Sequence, residues 1–122
     1  MDRLNCIKAI ADFPTTYKTN NLTPIAIMEQ SGYSEFYSEV TVDDIADYLV
    51  QRPDLVEDWL VYTENIRHTP AWGLTKSHGD SWIVGLSNRG RLIESHSYAD
   101  KFAACAKMIK MTLEEIRRSK PV

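Results

Sequence analysis

The stretch Trp82-Ile83-Val84-Gly85-Leu86-Ser87-Asn88-Arg89-Gly90-Arg91-Leu92-Ile93-Glu94-Ser95-His96-Ser97-Tyr98 reads as a β-hairpin. Trp82, Val84 and Leu86 alternate on one side of a turn, and Leu92, Glu94, His96 and Tyr98 alternate on the other. Between them Asn88-Arg89-Gly90 suits a tight loop with glycine at positive φ. Just upstream Trp72 and Leu74 alternate in the same way, and His78-Gly79-Asp80 offers a second tight loop. Three antiparallel strands in a meander follow, and such a sheet must bury one face.

Working outward, Ser97-Tyr98-Ala99-Asp100 fits a capping-box pattern. Phe102, Ala106, Ile109, Leu113 and Ile116 then mark the inner stripe of a long C-terminal helix, the natural cover for the sheet. Lys107, Lys110, Arg117 and Arg118 lie towards its end, where cations favour the helix dipole. Upstream of the sheet, Thr41-Val42-Asp43-Asp44 starts a helix whose inner residues are Val42, Ile45, Tyr48 and Leu49. It must end near Arg52, because Pro53 disfavours helical geometry before it and suits the first turn of a new helix. That second helix is expected over residues 53–67, facing inward with Leu55, Val56, Trp59, Leu60, Thr63 and Ile66. Thr23 and Pro24 form an N-cap and first position, with Gly32 as terminator. Residues 3–12 place Leu4, Ile7, Ile10 and Ala11 on one side, Pro14 stops that run, and a polar stretch surrounds Asn20 and Asn21. The expected fold is α+β: N-terminal helices, a three-stranded antiparallel meander, and a long C-terminal helix packed on the sheet. No repeat, low-complexity tract or linker interrupts residues 1–122, so a single domain is expected.

The chain has 122 residues, 43% of them hydrophobic and 25% charged, which excludes disordered and fibrous classes and allows one ordinary core. No apolar run approaches the roughly 18 residues of a membrane span, and no basic start precedes an apolar run at the N-terminus. A cytoplasmic protein without membrane attachment is expected. Cys6 and Cys105 lie at opposite ends of the chain and fit a pair of buried thiols, a disulfide between the terminal helices being the alternative.

Chemistry-bearing patterns are sparse. His68 follows a helix end, where imidazole commonly meets free carbonyls, and His78 sits in a turn. His96 shares a strand face with Glu94; such a pair can serve as a general base or simply as a surface contact, and no nucleophile motif accompanies it. No HExxH, CxxC, calcium loop or glycine-rich phosphate loop is present. No catalytic group, metal site or cofactor is expected. Trp59, Trp72 and Trp82 occupy inward or sheet positions and read as core, although Trp72 and Trp82 would suit base stacking were the sheet bare on their face.

Charge is the most informative feature. Residues 1–70 hold 12 acidic against 5 basic side chains, and residues 71–122 hold 5 acidic against 9 basic. Within residues 35–64 stand Glu35, Glu39, Asp43, Asp44, Asp47, Asp54, Glu57, Asp58 and Glu64, opposed only by Arg52. Asp43, Asp44 and Asp54 fall in first turns and suit the dipole. Asp47 and Asp58 each follow another aspartate by four residues, a spacing that costs a helix roughly 0.2–0.5 kcal/mol. An acidic face that works against its own helices fits an external basic partner; an ordinary solvated face is the alternative. Two helices followed by hairpins is also the order of a winged-helix DNA-binding regulator. There, however, the second helix would present Asp54, Glu57, Asp58 and Glu64 to phosphate, so nucleic acid is disfavoured.

Val42-Asp43-Asp44-Ile45 through Tyr48-Leu49, Pro53-Asp54-Leu55-Val56 with Trp59 and Tyr62, Glu64-Asn65-Ile66-Arg67, Trp72-Gly73, Trp82-Ile83-Val84-Gly85, and Asp100 with Ala103-Ala104-Cys105-Ala106 together form a layout. Over residues 41–118 it resembles the small immunity proteins of bacterial contact-dependent inhibition and related polymorphic toxin systems. The resemblance implies a compact, cytoplasmic, non-catalytic protein. Its partner would be a cognate toxin domain, often a basic nuclease, bound by charge complementarity. By the same implication Glu35, Glu39, Asp47, Glu57, Asp58 and Glu64 would contact that partner.

Overall fold

The computed structural model describes residues 2–64, 71–77 and 79–119. Among these residues six helices precede the sheet: α1 (Arg3–Ala11), α2 (Phe13–Asn20), α3 (Pro24–Gln30), α4 (Tyr33–Phe36), α5 (Val42–Gln51) and α6 (Asp54–Glu64). Strands β1 (Ala71–Lys76), β2 (Trp82–Asn88) and β3 (Arg91–Tyr98) follow in antiparallel order β1-β2-β3, and α7 (Lys101–Ser119) closes the chain. The fold is α+β, with the long C-terminal helix packed on the meander.

Local signals account for most element boundaries. Thr41 and Asp44 form a reciprocal capping box: the Asp44 amide donates to the threonine hydroxyl at 3.1 Å and the Thr41 amide to the aspartate at 3.3 Å. Thr23 caps α3, accepting from the Ala26 amide, and Pro24 takes the first position. Gly32 follows α3 at φ 84°, in the left-handed region. Arg89 and Gly90 both have positive φ, the signature of the primed two-residue hairpin turn.

Several expectations fail for physical reasons. Pro14 does not end helical structure; it occupies the first turn of α2, where a missing N–H costs nothing. Asp12 is both the end of α1 and the start of α2, and the polar stretch around Asn20 and Asn21 is where α2 ends, with Asn21 as its left-handed C-cap. Leu4 is 55% exposed, and Cys6 takes the buried position beside Ile7 and Ile10. The cap of α7 is Asp100 itself, which accepts from the Phe102 amide at 3.1 Å, whereas Ser97 belongs to β3. Lys110 does not serve the helix terminus; it turns inward. Of the expected α6 face, Leu55, Val56 and Trp59 are buried, Leu60 and Thr63 are half-buried, and Ile66 lies outside the described residues together with Asn65, Arg67, His68 and His78.

The core lies between α7, the covered sheet face and the N-terminal helices. α5 makes its main contact with α7, while α6 packs on β1, α2 and α7. The Trp59 indole N–H donates to the free Ala11 carbonyl at 2.9 Å, and its ring stacks with Phe13 at 5.6 Å, tying α6 to α1 and α2. Lys110 spans from α7 to the segment after α4. Its ammonium donates to the Tyr37 and Val40 carbonyls at 2.6 and 2.7 Å and sits 4.9 Å over the Tyr33 ring. Cys6 and Cys105 are buried free thiols.

Each sheet face follows from strand register. Trp72, Leu86 and Glu94 form one cross-strand row, Leu74, Val84 and His96 the next, and Lys76, Trp82 and Tyr98 the third. This is the covered face, with Trp72, Leu74 and Val84 buried. On the other face lie Gly73, Gly85 and Ser95, flanked by Thr75, Ile83 and Ser97. A bulge between Leu86 and Ser87 leaves Ile93 as the extra residue, so Leu92 switches to this second face, opposite Ser87. The strict Leu92-to-Tyr98 alternation is thereby broken.

Candidate functional site

The six residues implicated by the sequence fall on three elements. Glu35 and Glu39 are exposed on and just after α4, and Asp47 is exposed on α5. Glu57 and Glu64 are exposed on α6, and Asp58 beside them is half-buried. On α6 the spacing Asp54, Glu57, Asp58, Val61, Glu64 follows one outward helical stripe, opposite the buried Leu55, Val56 and Trp59. α5 has a shorter counterpart in Asp43, Asp47 and the exposed Val50.

α5 and α6 do not form a packed pair. Beyond the corner at Arg52 and Pro53 they lean on different neighbours, α5 on α7 and α1, and α6 on β1 and α2. α5, whose main contact is with α7, also touches α1. Arg3 at the start of α1 ion-pairs with Asp44 at 3.0 Å, and Asp12 at its end lies in the field of Arg52. A helix-turn-helix needs mutual support between its two helices, and this arrangement gives the winged-helix reading no support.

The structure does bring some carboxylates together. Arg52 grips Asp54 through two bonds of 3.2 and 3.0 Å, and that contact holds the Asp54 carboxyl below its ordinary range. Asp12 stands nearby; burial raises its pKa, Arg52 opposes the rise, and Asp54 and Asp58 add to it. Asp12 thus lies in the field of Arg52, Asp54 and Asp58, and Arg52 itself is bonded to Asp54. Asp12 was not singled out from sequence. Its only signal in the sequence is its place two residues before Pro14, which reads as a helix start once Pro14 is seen to open α2.

Among the described residues no ion pair joins a C-terminal cation to these carboxylates. Lys110 is engaged by backbone carbonyls, while Arg117 pairs with Glu114 at 2.6 Å and covers the Tyr37 ring at 3.8 Å. Arg89 and Arg91 are exposed at the far hairpin.

Other candidates resolve differently. His96 and Glu94 are hydrogen-bonded at 2.7 Å on the rim of the covered face, and the His96 ring stacks on Trp72 at 6.5 Å. Ser95 and Ser97 point to the opposite face, so the strand orients neither hydroxyl towards that imidazole. Trp72 is buried on the covered face and Trp82 is half-buried beside it, with Lys76 at 5.8 Å from its ring. The bare face offers glycine, serine and aliphatic side chains, so base stacking has no platform there. Among the described residues no group of three His, Cys, Asp or Glu side chains converges as metal ligands do, and no helix is long and apolar enough to cross a membrane. No protein-family model, curated protein or solved structure matches the chain.

Proposed function

We propose that this protein is an immunity protein that binds and neutralises a cognate bacterial toxin domain of basic, nucleic-acid-cleaving type. The observation that carries the reading is the outward stripe of α6, where Glu57, Asp58 and Glu64 present negative charge while the opposite side of the helix anchors in the core. Among the described residues no ion pair joins the C-terminal half to these three carboxylates, and Lys110 and Arg117 are committed elsewhere. A nuclease gathers cations where it binds phosphate, so a rigid anionic helix can approach quickly and cover that surface. Glu35, Glu39 and Asp47 extend the proposed contact to α4 and α5.

The test pairs this chain with the toxin domain encoded beside its gene. Co-expression is expected to restore growth, and association is expected to slow at least tenfold as salt rises from about 0.05 to about 0.5 M. The variant carrying Glu57→Gln, Asp58→Asn and Glu64→Gln should associate about tenfold more slowly with a smaller change in dissociation. Absence of both complex and rescue removes the proposal. Equal association rates for parent and variant move the contact away from α6.

A further inference from the structure

We propose that two copies of this chain pair through the edge of β3 that no described strand occupies, joining their sheets in an antiparallel two-fold seam centred on Ser95. The two edges of the sheet are unequal. β1 is backed by both α6 and α7, whereas β3 pairs with β2 on one side and receives only light packing from α7. An unpaired strand edge presents rows of N–H and C=O groups that template another strand. β3 is eight residues long and contains no proline; its bulge and Arg91 guard only its first half, leaving Glu94 to Tyr98 in regular extended form. Leu92 and Ile93, both 60% exposed, flank an open depression of about 370 Å³ with Asn88 and Arg91.

The occupant is specified by the side chains. In a two-fold antiparallel pair the residue one step before the centre faces the residue one step after it, and both point to the same face. Centring on Ser95 sets Glu94 of each copy opposite His96 of the other. The seam then carries two carboxylates and two imidazoles alternating around a four-cornered patch on one face, extending the 2.7 Å contact already present within each copy. Neighbouring registers lack this match: centring on Glu94 opposes two carboxylates, centring on His96 opposes two imidazoles, and centring on Ser97 opposes Glu94 to Asp100. The pairing is closed, because a two-fold seam uses the same β3 edge of both copies. The bulge at Ile93 confines the regular ladder to a few residues, so the seam falls below the roughly 1,600 Å² of a standard interface and a dissociation constant on the order of tens of micromolar is expected. This surface is separate from the α6 stripe, and its test needs no toxin.

Sedimentation of the full chain over about 5 to 500 µM should show the mass rising from 14.0 kDa towards twice that value. Glu94→Lys alone and His96→Asp alone should each weaken association at least tenfold, since each sets like or unmatched charges across the seam twice. Mixed in equal amounts, the two variants should associate again within about threefold of the parent, because each then meets its complement. Glu94 and His96 are substantially solvent-exposed, so the fold of each variant can be verified by circular dichroism before mixing. A parent that stays monomeric throughout overturns the proposal. So do single variants that associate like the parent, or a mixture that fails to recover.

Discussion

β1 and β3 are the two edges of one three-stranded sheet, and the fold treats them oppositely. Along β1, Trp72 and Leu74 are buried beneath α6 and α7; along β3, six of eight residues are exposed and the largest apolar side chains, Leu92 and Ile93, face outward. The sheet alone does not produce this difference, since both strands pair with β2 across nearly their whole length. It comes from where the helices land: α7 lies over β1 and β2, and α6 closes the β1 flank. Hydrophobic character in a strand therefore marks core on one edge and accessible surface on the other.

The sharpest way to break this contrast is to truncate one large side chain on each edge. Trp72→Ala removes a buried indole between the sheet and its helices and should cost about 3–5 kcal/mol in urea unfolding. Leu92→Ala removes a side chain that is mostly in water and should change stability by about 0.5 kcal/mol or less. Comparable losses at both positions would mean that β3 is covered in solution.

A second measurement asks how dry the closed side is. Cys6 and Cys105 lie on α1 and α7 in the core, and burial raises their thiols from the ordinary value of 9.0 to about 11 and about 12. Above pH 9 the unfolded chain loses these protons while the folded chain keeps them. The folded state then binds more protons, so stability falls as pH rises towards the folded values. Tyr33 and Tyr62, also raised by burial, act in the same direction from pH 10 upward. Lys110, lowered by burial, acts oppositely. The thiol share is isolated by replacement: between about pH 8 and about pH 10.5 the urea midpoint should fall more steeply for the parent than for a Cys6→Ala, Cys105→Ala variant. Parallel slopes would show that water reaches both thiols.

What was legible in the sequence divides along similar lines. The Thr41 capping box, the Arg89-Gly90 turn and the inner stripe of α7 depend on neighbours within a few residues, and their residue types already state the geometry. α2 was not legible, because Pro14 serves equally to end one helix or to open another. Tyr17 finds its reason only when Tyr62 of α6 arrives 5.6 Å away. The bulge at Ile93 and the inward turn of Lys110 likewise depend on distant partners. For the candidate site, the acidic residues and their helices could be read directly. The separation of α5 from α6, and the placing of Asp12 in the field of Arg52 and Asp54, required tertiary structure.

The smallest effect distinguishes the two edges through a single pair of glycines. Gly73 on β1 and Gly85 on β2 face each other across the ladder, and both would direct a Cβ to the uncovered face. At Gly73 nothing lies within 4 Å of that position, so Gly73→Ala should stabilise the fold by about 0.4–1 kcal/mol through the unfolded chain. At Gly85 the same atom would come 2.5 Å from the Leu92 Cδ1, which reaches back from β3 over the glycine. Leu92 is free to swing into solvent, so Gly85→Ala should lose the gain without causing collapse, leaving stability within about 0.5 kcal/mol of the parent. The cause is separable by a double-mutant comparison: on a Leu92→Ala background, Gly85→Ala should recover the gain seen at Gly73. If the two glycines respond alike with Leu92 intact, then Leu92 does not rest on the sheet, and the apolar surface available at β3 is larger than the fold described here presents.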